Sequence, residues 1–435
     1  MSTDRNDNVL LLFADRVYPG VGTDVIKDGF VAIKNGRVEA VGPAAKNPYP
    51  PATPSRRFPG CTIIPGLIDS HVHLTFSAGE APLKEIQSDN DLVLMMRGAA
   101  NARMALEAGV TTIRDLGSRG RTLLDLRDSV AKGIVPGPRI LASGRPITCP
   151  GGHLHFLGGV AQGVDGVKRL TTELIEEGVD VIKVIATGGN MTHGSDPLRA
   201  QFTVEEIRAI VDLANQAGLK VTVHARGVEG IKVSVDAGVH GVEHSRMEVA
   251  PGEWGFNEEL ARDMARRKVA AAPTFAASFR AFQYKSAGLR AGAIPIPIRQ
   301  KNAARLRECG VRVVAGTDAG ASLCRFDEAI HLEMEILVGA GWTPIEALEA
   351  ATRGSAEAIG REDSVGTLEP GKLADIVVVH GDPTKNISDA RQIAHVFQDG
   401  REVVDQGEVI TDARPYPWPA EEIAQRSLFK HLAKA

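Results

Sequence analysis

TIIPGLIDSHVH, residues 62–73, decides how this chain is read. The apolar and β-branched residues up to Ile68 predict a buried strand, and Asp69-Ser70-His71-Val72-His73 prolongs its two-residue alternation. A period of two turns both imidazoles to one side, where they can share an ion. Seven more short apolar runs follow, at Val110–Asp115, Arg139–Ala142, Val179–Ile185, Lys220–Ala225, Gly241–His244, Val269–Thr274 and Val311–Asp318, with helical stretches between them. Eight strands alternating with helices over residues 62–356 predict an α/β chain built as a (β/α)8 TIM-type barrel, with its chemistry at the C-terminal strand ends.

Outward from the barrel, both chain ends are β-rich. FVAIKNGRVEAVG (Phe30–Gly42) is a hairpin pattern about Asn35-Gly36, and AHVFQDGREVVDQG (Ala394–Gly407) repeats it about Asp399-Gly400. Residues 1–61 and 357–435 are therefore expected to pair into a small composite β-sandwich domain beside the barrel.

Composition excludes several function classes. A 43% hydrophobic, 24% charged chain of 435 residues with 46 Gly is ordinary for a globular α/β protein. A net charge of -4 offers no basic footprint for nucleic acid or an anionic membrane. MSTDRNDNVLLLF at the start is too polar for a signal segment, so the expected location is cytoplasmic. Cys61, Cys149, Cys309 and Cys324 lack metal-site spacing and read as free thiols.

A lone HxH is a weak signal, but His224, His244 and Asp318 recur where other strands end. Lys183 sits among Val181, Ile182, Val184 and Ile185, where a charged ammonium costs several kcal/mol unless paired or neutralised. Desolvation favours its neutral amine, which can take up CO2 as a carbamate, an anion able to bridge two cations. A lysine snorkelling to solvent is the alternative, and the aligned histidines argue against it.

PGLIDSHVHL (Pro65–Leu74), VIKVIATGG (Val181–Gly189), HARG (His224–Gly227), GVEHS (Gly241–Ser245), AGTDAG (Ala315–Gly320) and GTLEPGKLADIVVV (Gly366–Val379) together resemble the amidohydrolase superfamily, over essentially the whole chain. The branch it resembles holds imidazolonepropionase-like proteins, Xaa-Pro and Xaa-Lys/Arg dipeptidases and ochratoxinase. The resemblance implies two divalent metals: His71, His73 and Asp318 on one, His224 and His244 on the other, and carboxylated Lys183 bridging. Zinc is the expected ion. Asp318 would move the proton of the attacking water, and His153, in GRPITCPGGHLHF, would hold the substrate carbonyl. The expected reaction is cleavage of an N-acyl amino acid or dipeptide, ochratoxin A being one candidate; cyclic-amide hydrolysis or deamination is the alternative. A non-enzymatic assembly protein is disfavoured because no ligand is missing. Homo-oligomers are common among the relatives, so one is expected here.

Further residues have two readings each. Arg226 could clasp a substrate carboxylate at the rim or form a surface salt bridge. His193 and Tyr284, on loops after the fourth and seventh strands, are candidate substrate contacts. His155 reads as supporting or exposed, and His331 and Glu333 as structural.

Overall fold

The computed structural model describes residues 9–189, 191–250, 253–283, 296–321 and 323–410. Seven of the expected inner strands form two parallel arcs. β1 (Leu67–Val72), β2 (Val110–Asp115) and β3 (Arg139–Ala142) pair in that order. β4 (Val181–Ile185), β5 (Lys220–Gly227), β6 (Gly241–Ala250) and β7 (Ala270–Ala272) make the second arc. Single parallel bridges link the arcs: Ile147 with Val184, Ala271 with Val313 and Val72 with Ala319.

Two expectations need correction. The run from Thr62 to Ile68 is two strands, not one. Ser55–Pro65 pairs with Ile376–His380 in a terminal sheet, and the chain changes partner at Gly66 to enter β1. A Cβ at Gly66 would stand 2.1 Å from Thr111 Oγ1, so only glycine allows this switch so close to β2. The run Val311–Asp318 forms no ladder. Its amides bond singly instead: Val314 N donates to Ala271 O (2.9 Å), and Thr317 N (3.2 Å) and Asp318 N (2.8 Å) both donate to His71 O. A left-handed Asp318 (φ 61°) breaks the pleat there.

The chain ends form one hydrogen-bonded sheet of eight strands, where a two-sheet sandwich was expected. Its order is Glu408–Val409, Arg401–Asp405, Ile393–Gln398, Ile376–His380, Ser55–Pro65, Leu10–Val17, Ile26–Lys34, Arg37–Pro43. Ser55–Pro65 unites the two ends, running parallel to Leu10–Val17 and antiparallel to Ile376–His380. Both predicted hairpins are present, turning on Asn35-Gly36 (φ 52° and 79°) and Asp399-Gly400 (φ 49° and 74°).

Helices cover the arcs with apolar stripes at helical spacing. Gly163–Glu176, for example, buries Val167, Leu170, Thr171 and Leu174. Thr203 and Glu206 close a capping box on the helix Val204–Gln216. No helix among the described residues is long and apolar enough to cross a membrane. All four cysteines are free.

Candidate metal centre and active site

The C-terminal ends of the inner strands converge on a cleft of about 1010 Å³, its open mouth included. Its wall contains His71, His73, His153, Lys183, His224, His244 and Asp318. The six residues expected as ligands are thus brought together. One ligand atom each from His71, His244 and Asp318 falls within 4.8 Å of the others. Asp318 Oδ1 lies 3.5 Å from His71 Nε2 and 3.4 Å from His73 Nε2. The His224 and His244 rings are 4.4 Å apart.

Each ring is fixed through one nitrogen, which leaves the other free to bind. His71 Nδ1 donates to Glu243 Oε2 (2.8 Å), and His73 Nδ1 to Gly117 O (3.2 Å). His244 Nδ1 hydrogen-bonds Thr274 Oγ1 (2.8 Å). His224 is held the other way, Nε2 donating to Gly188 O (3.1 Å), so its free atom is Nδ1. Such outer partners set tautomer and ring orientation. Burial, reinforced by neighbouring cationic groups, drives the pKa of His73, His224 and His244 far below the usual imidazole range. They are neutral at working pH, as ligands must be.

Lys183 is 2% exposed, and its Nζ has no hydrogen-bond partner among the described residues. Burial lowers its pKa to about 8, so an appreciable fraction is free amine at neutral pH. An orphaned amine facing four imidazoles and a carboxylate fits a site for divalent cations.

The backbone is strained around the candidate ligands. His244 (φ 68°), Ser245 (43°), Thr274 (51°) and Asp318 (61°) are all left-handed without being glycine. Such conformations persist only where surrounding contacts over-determine them, as at functional sites. Gly320 (φ 97°) follows Asp318 because a Cβ there would stand 2.2 Å from His73 O.

His153 is buried, with Nδ1 2.7 Å from Thr192 Oγ1, and burial beside Arg226 lowers its pKa to about 3. Gly189 packs against its free edge: a Cβ would lie 2.6 Å from His153 Nε2. Gly189→Ala should displace this ring and lower kcat/KM by about 10–100-fold, with thermal stability nearly unchanged. Steady-state kinetics beside a melting curve check this; unchanged kinetics would free His153 of any role.

Arg226 is not at the rim. It is 4% exposed and gives Nε (3.0 Å) and Nη2 (2.6 Å) to Glu248 Oε1, a buried ion pair instead of an open clasp. His193 is exposed on its loop and outside the cleft wall. His155 is exposed and turns Nδ1 back to Gly152 O (2.9 Å). Tyr284 lies outside the described residues. His331 is buried in the helix Ala329–Gly339, away from the cleft wall.

Sequence reading missed several groups. Glu243, 1% exposed, accepts from His71 and from Arg114 Nη2 (2.8 Å); burial opposes its ionisation, but Arg114 and His71 hold its pKa well below the usual range. A carboxylate beside His244 in an otherwise apolar strand was the available signal. Arg246 follows His244 by two residues as Arg226 follows His224, and it lines the cleft. Arg299, from the helix Ile296–Glu308, also lines it and had no sequence signal.

Glu333, fully buried, accepts from Phe275 N (3.1 Å) and Ala276 N (2.7 Å), yet burial outweighs these bonds and raises its pKa to about 8. The folded state therefore keeps a proton that the unfolded chain releases near pH 4.5. Stability from this residue is full below that pH and is lost as pH rises to about 8, by a few kcal/mol at most. Melting of the metal-free protein from pH 5 to 8 should fall more steeply for wild type than for Glu333→Gln. Parallel curves would refute the raised pKa.

A family model described as the Amidohydrolase family matches residues 62–403. Ochratoxinase from Aspergillus niger is 27% identical over 437 residues, covering 92% of this chain and 87% of that protein. Imidazolonepropionase from Streptococcus sanguinis is 24% identical over 422 residues, covering 89% and 92%. The crystal structure of a Xaa-Pro dipeptidase with methionine bound in its active site superposes with a TM-score of 0.81 at 26% identity, covering 91% of this chain and 99% of that one. The chain belongs to the amidohydrolase family and is a hydrolase acting on C–N bonds.

Proposed function

We propose that this protein is a binuclear metal-dependent amidase that cleaves an N-acyl amino acid or dipeptide-like substrate. The site stands on a (β/α)8 ring of residues 62–356, with the chain ends as a composite unit beside it. The observation that carries this reading is Lys183: an unpaired buried amine in the wall that holds His71, His73, His224, His244 and Asp318. As a carbamate it would be an anionic ligand for the pair of ions, with His71, His73 and Asp318 the residues that would hold one and His224 and His244 those that would hold the other. Imidazole and carboxylate ligands suit zinc. When bound, such a pair acts as a Lewis acid and makes water nucleophilic at neutral pH.

The protein's own groups do the rest. Asp318 accepts the proton of the attacking water and delivers it to the departing nitrogen, so the acyl–nitrogen bond breaks with charge conserved. His153, neutral across the working range, donates a hydrogen bond to the scissile carbonyl oxygen. The names ochratoxinase and Xaa-Pro dipeptidase among its relatives support an amide bond to an amino acid. Imidazolonepropionase supports a second reading, hydrolysis of a cyclic amide.

Metal content by elemental analysis, together with amino-acid release from a panel of acyl amino acids and dipeptides that includes ochratoxin A, tests the proposal. Two metals per chain with release are expected. One metal, with turnover of cyclic amides only, would replace it with the second reading.

A further inference from the structure

Three guanidiniums, those of Arg226, Arg246 and Arg299, line the cleft beside the candidate metal centre. Their partners do not balance them. Glu248 Oε1 is taken up by Arg226 Nε and Nη2, and Arg246 Nη1 reaches it only at 3.7 Å. Arg246 otherwise donates Nη2 to the neutral Ser278 Oγ (3.1 Å). Arg299 donates to two main-chain carbonyls, Pro273 O and Thr274 O (3.1 Å), which carry no charge. Of the acids near Arg299, Glu248 is engaged by Arg226 and Asp318 belongs to the candidate metal centre; the oxygens of Glu333 are engaged by the Phe275 and Ala276 amides, and with its raised pKa it is largely protonated at pH 7.

Arg246 Nε and Arg299 Nη1 are buried with no hydrogen-bond partner among the described residues. A buried charged donor without a partner is costly, and the cost is relieved when a ligand brings the missing acceptors. With Glu248 paired to Arg226 and Asp318 part of the candidate metal centre, Arg246 and Arg299 leave room for two negative charges. The carboxylate common to all acyl amino acids supplies one.

We propose that the substrate presents two carboxylates to this arginine wall, so that the preferred leaving group is a dicarboxylic amino acid, carried as its N-acyl derivative or as the C-terminal residue of a dipeptide. This rests on the amidase reading above. Arg246 and Arg299 supply the open donors and the uncompensated charge for the two carboxylates, while Arg226 is neutralised by Glu248.

The test compares substrates of equal size that differ by one charge: N-acetylglutamate with N-acetylglutamine, and N-acetylaspartate with N-acetylasparagine, on the metal-loaded enzyme. The acids should be preferred in kcat/KM by about 100-fold or more, because an amide in the same place leaves the arginine donors unpaired. Arg246→Gln should shrink that ratio at least tenfold, and Arg246→Lys less. Cleavage of acid and amide within about threefold of each other would overturn the dicarboxylate proposal while leaving the amidase reading intact. If no acyl amino acid is cleaved, the amidase reading fails and binding still decides on the wall. Glutarate held at least tenfold tighter than its monoamide by calorimetry would support two anionic seats, and equal binding would refute them.

Discussion

Asp318→Asn is expected to lower kcat by about 10³-fold or more, with the fold retained. Asp318 is the carboxylate within 3.5 Å of both His71 Nε2 and His73 Nε2, and in the proposed reaction it would be both an anionic ligand and the proton carrier. A positioned acid–base group alone contributes about 10²–10⁴-fold. The amide keeps the size but can neither accept the water proton nor supply a negative charge. The backbone change is small, because asparagine tolerates the left-handed φ of 61° that this position requires. Steady-state kinetics, metal content and a melting curve check the outcome together. A variant within tenfold of wild type at full metal content would remove Asp318 from the chemistry.

Lys183→Ala carries the second large effect: metal occupancy should fall from two to at most one per chain, and kcat/KM by about 10³-fold. Removing the lysine removes the proposed bridge while leaving every imidazole in place, and the variant opens a gap the size of a carboxylate. Short carboxylates such as acetate or propionate should therefore restore part of the activity, a signature that a purely structural lysine lacks. The metal-free proteins should show the opposite trend in stability. A buried amine without a partner is costly, so Lys183→Met, which fills the same space with an apolar chain, should melt at a higher temperature than wild type when both lack metal. Full activity and two metals in Lys183→Ala would overturn the carbamate reading, whatever the substrate.

The ligand set is legible in the sequence because each member lies at the end of an apolar run or within one, and strand alternation is a local rule. His71 and His73 gain weight from His224, His244 and Asp318 at the ends of other runs, and Lys183 from its apolar neighbours together with those histidines. The charged wall is less legible. Arg246 repeats the offset of Arg226 from its histidine, but positive φ values at His244, Ser245 and Met247 break the alternation that would assign it a face. Arg299 reaches the cleft from a helix far along the chain, and nothing in its neighbourhood marks it. A guanidinium prefers water, which favours the rim for Arg226; Glu248 makes burial tolerable, and that pairing across residues 226 and 248 is a tertiary event.

By itself the sequence determined the class of fold and the hairpins at Asn35-Gly36 and Asp399-Gly400, since these follow from short-range periodicity and turn chemistry, and it marked the histidine, lysine and aspartate set by its recurrence in and at the ends of apolar runs. Tertiary structure alone decided the rest. It broke the first run at Gly66, where the approach of Thr111 leaves no room for a side chain. It held Val311–Asp318 by single bonds to Ala271 and His71 instead of a ladder, and joined the strands of both chain ends into one sheet through Ser55–Pro65. It also brought three arginines together around Glu248. Each of these depends on which distant residue fills the neighbouring space, and no local pattern of residues encodes that.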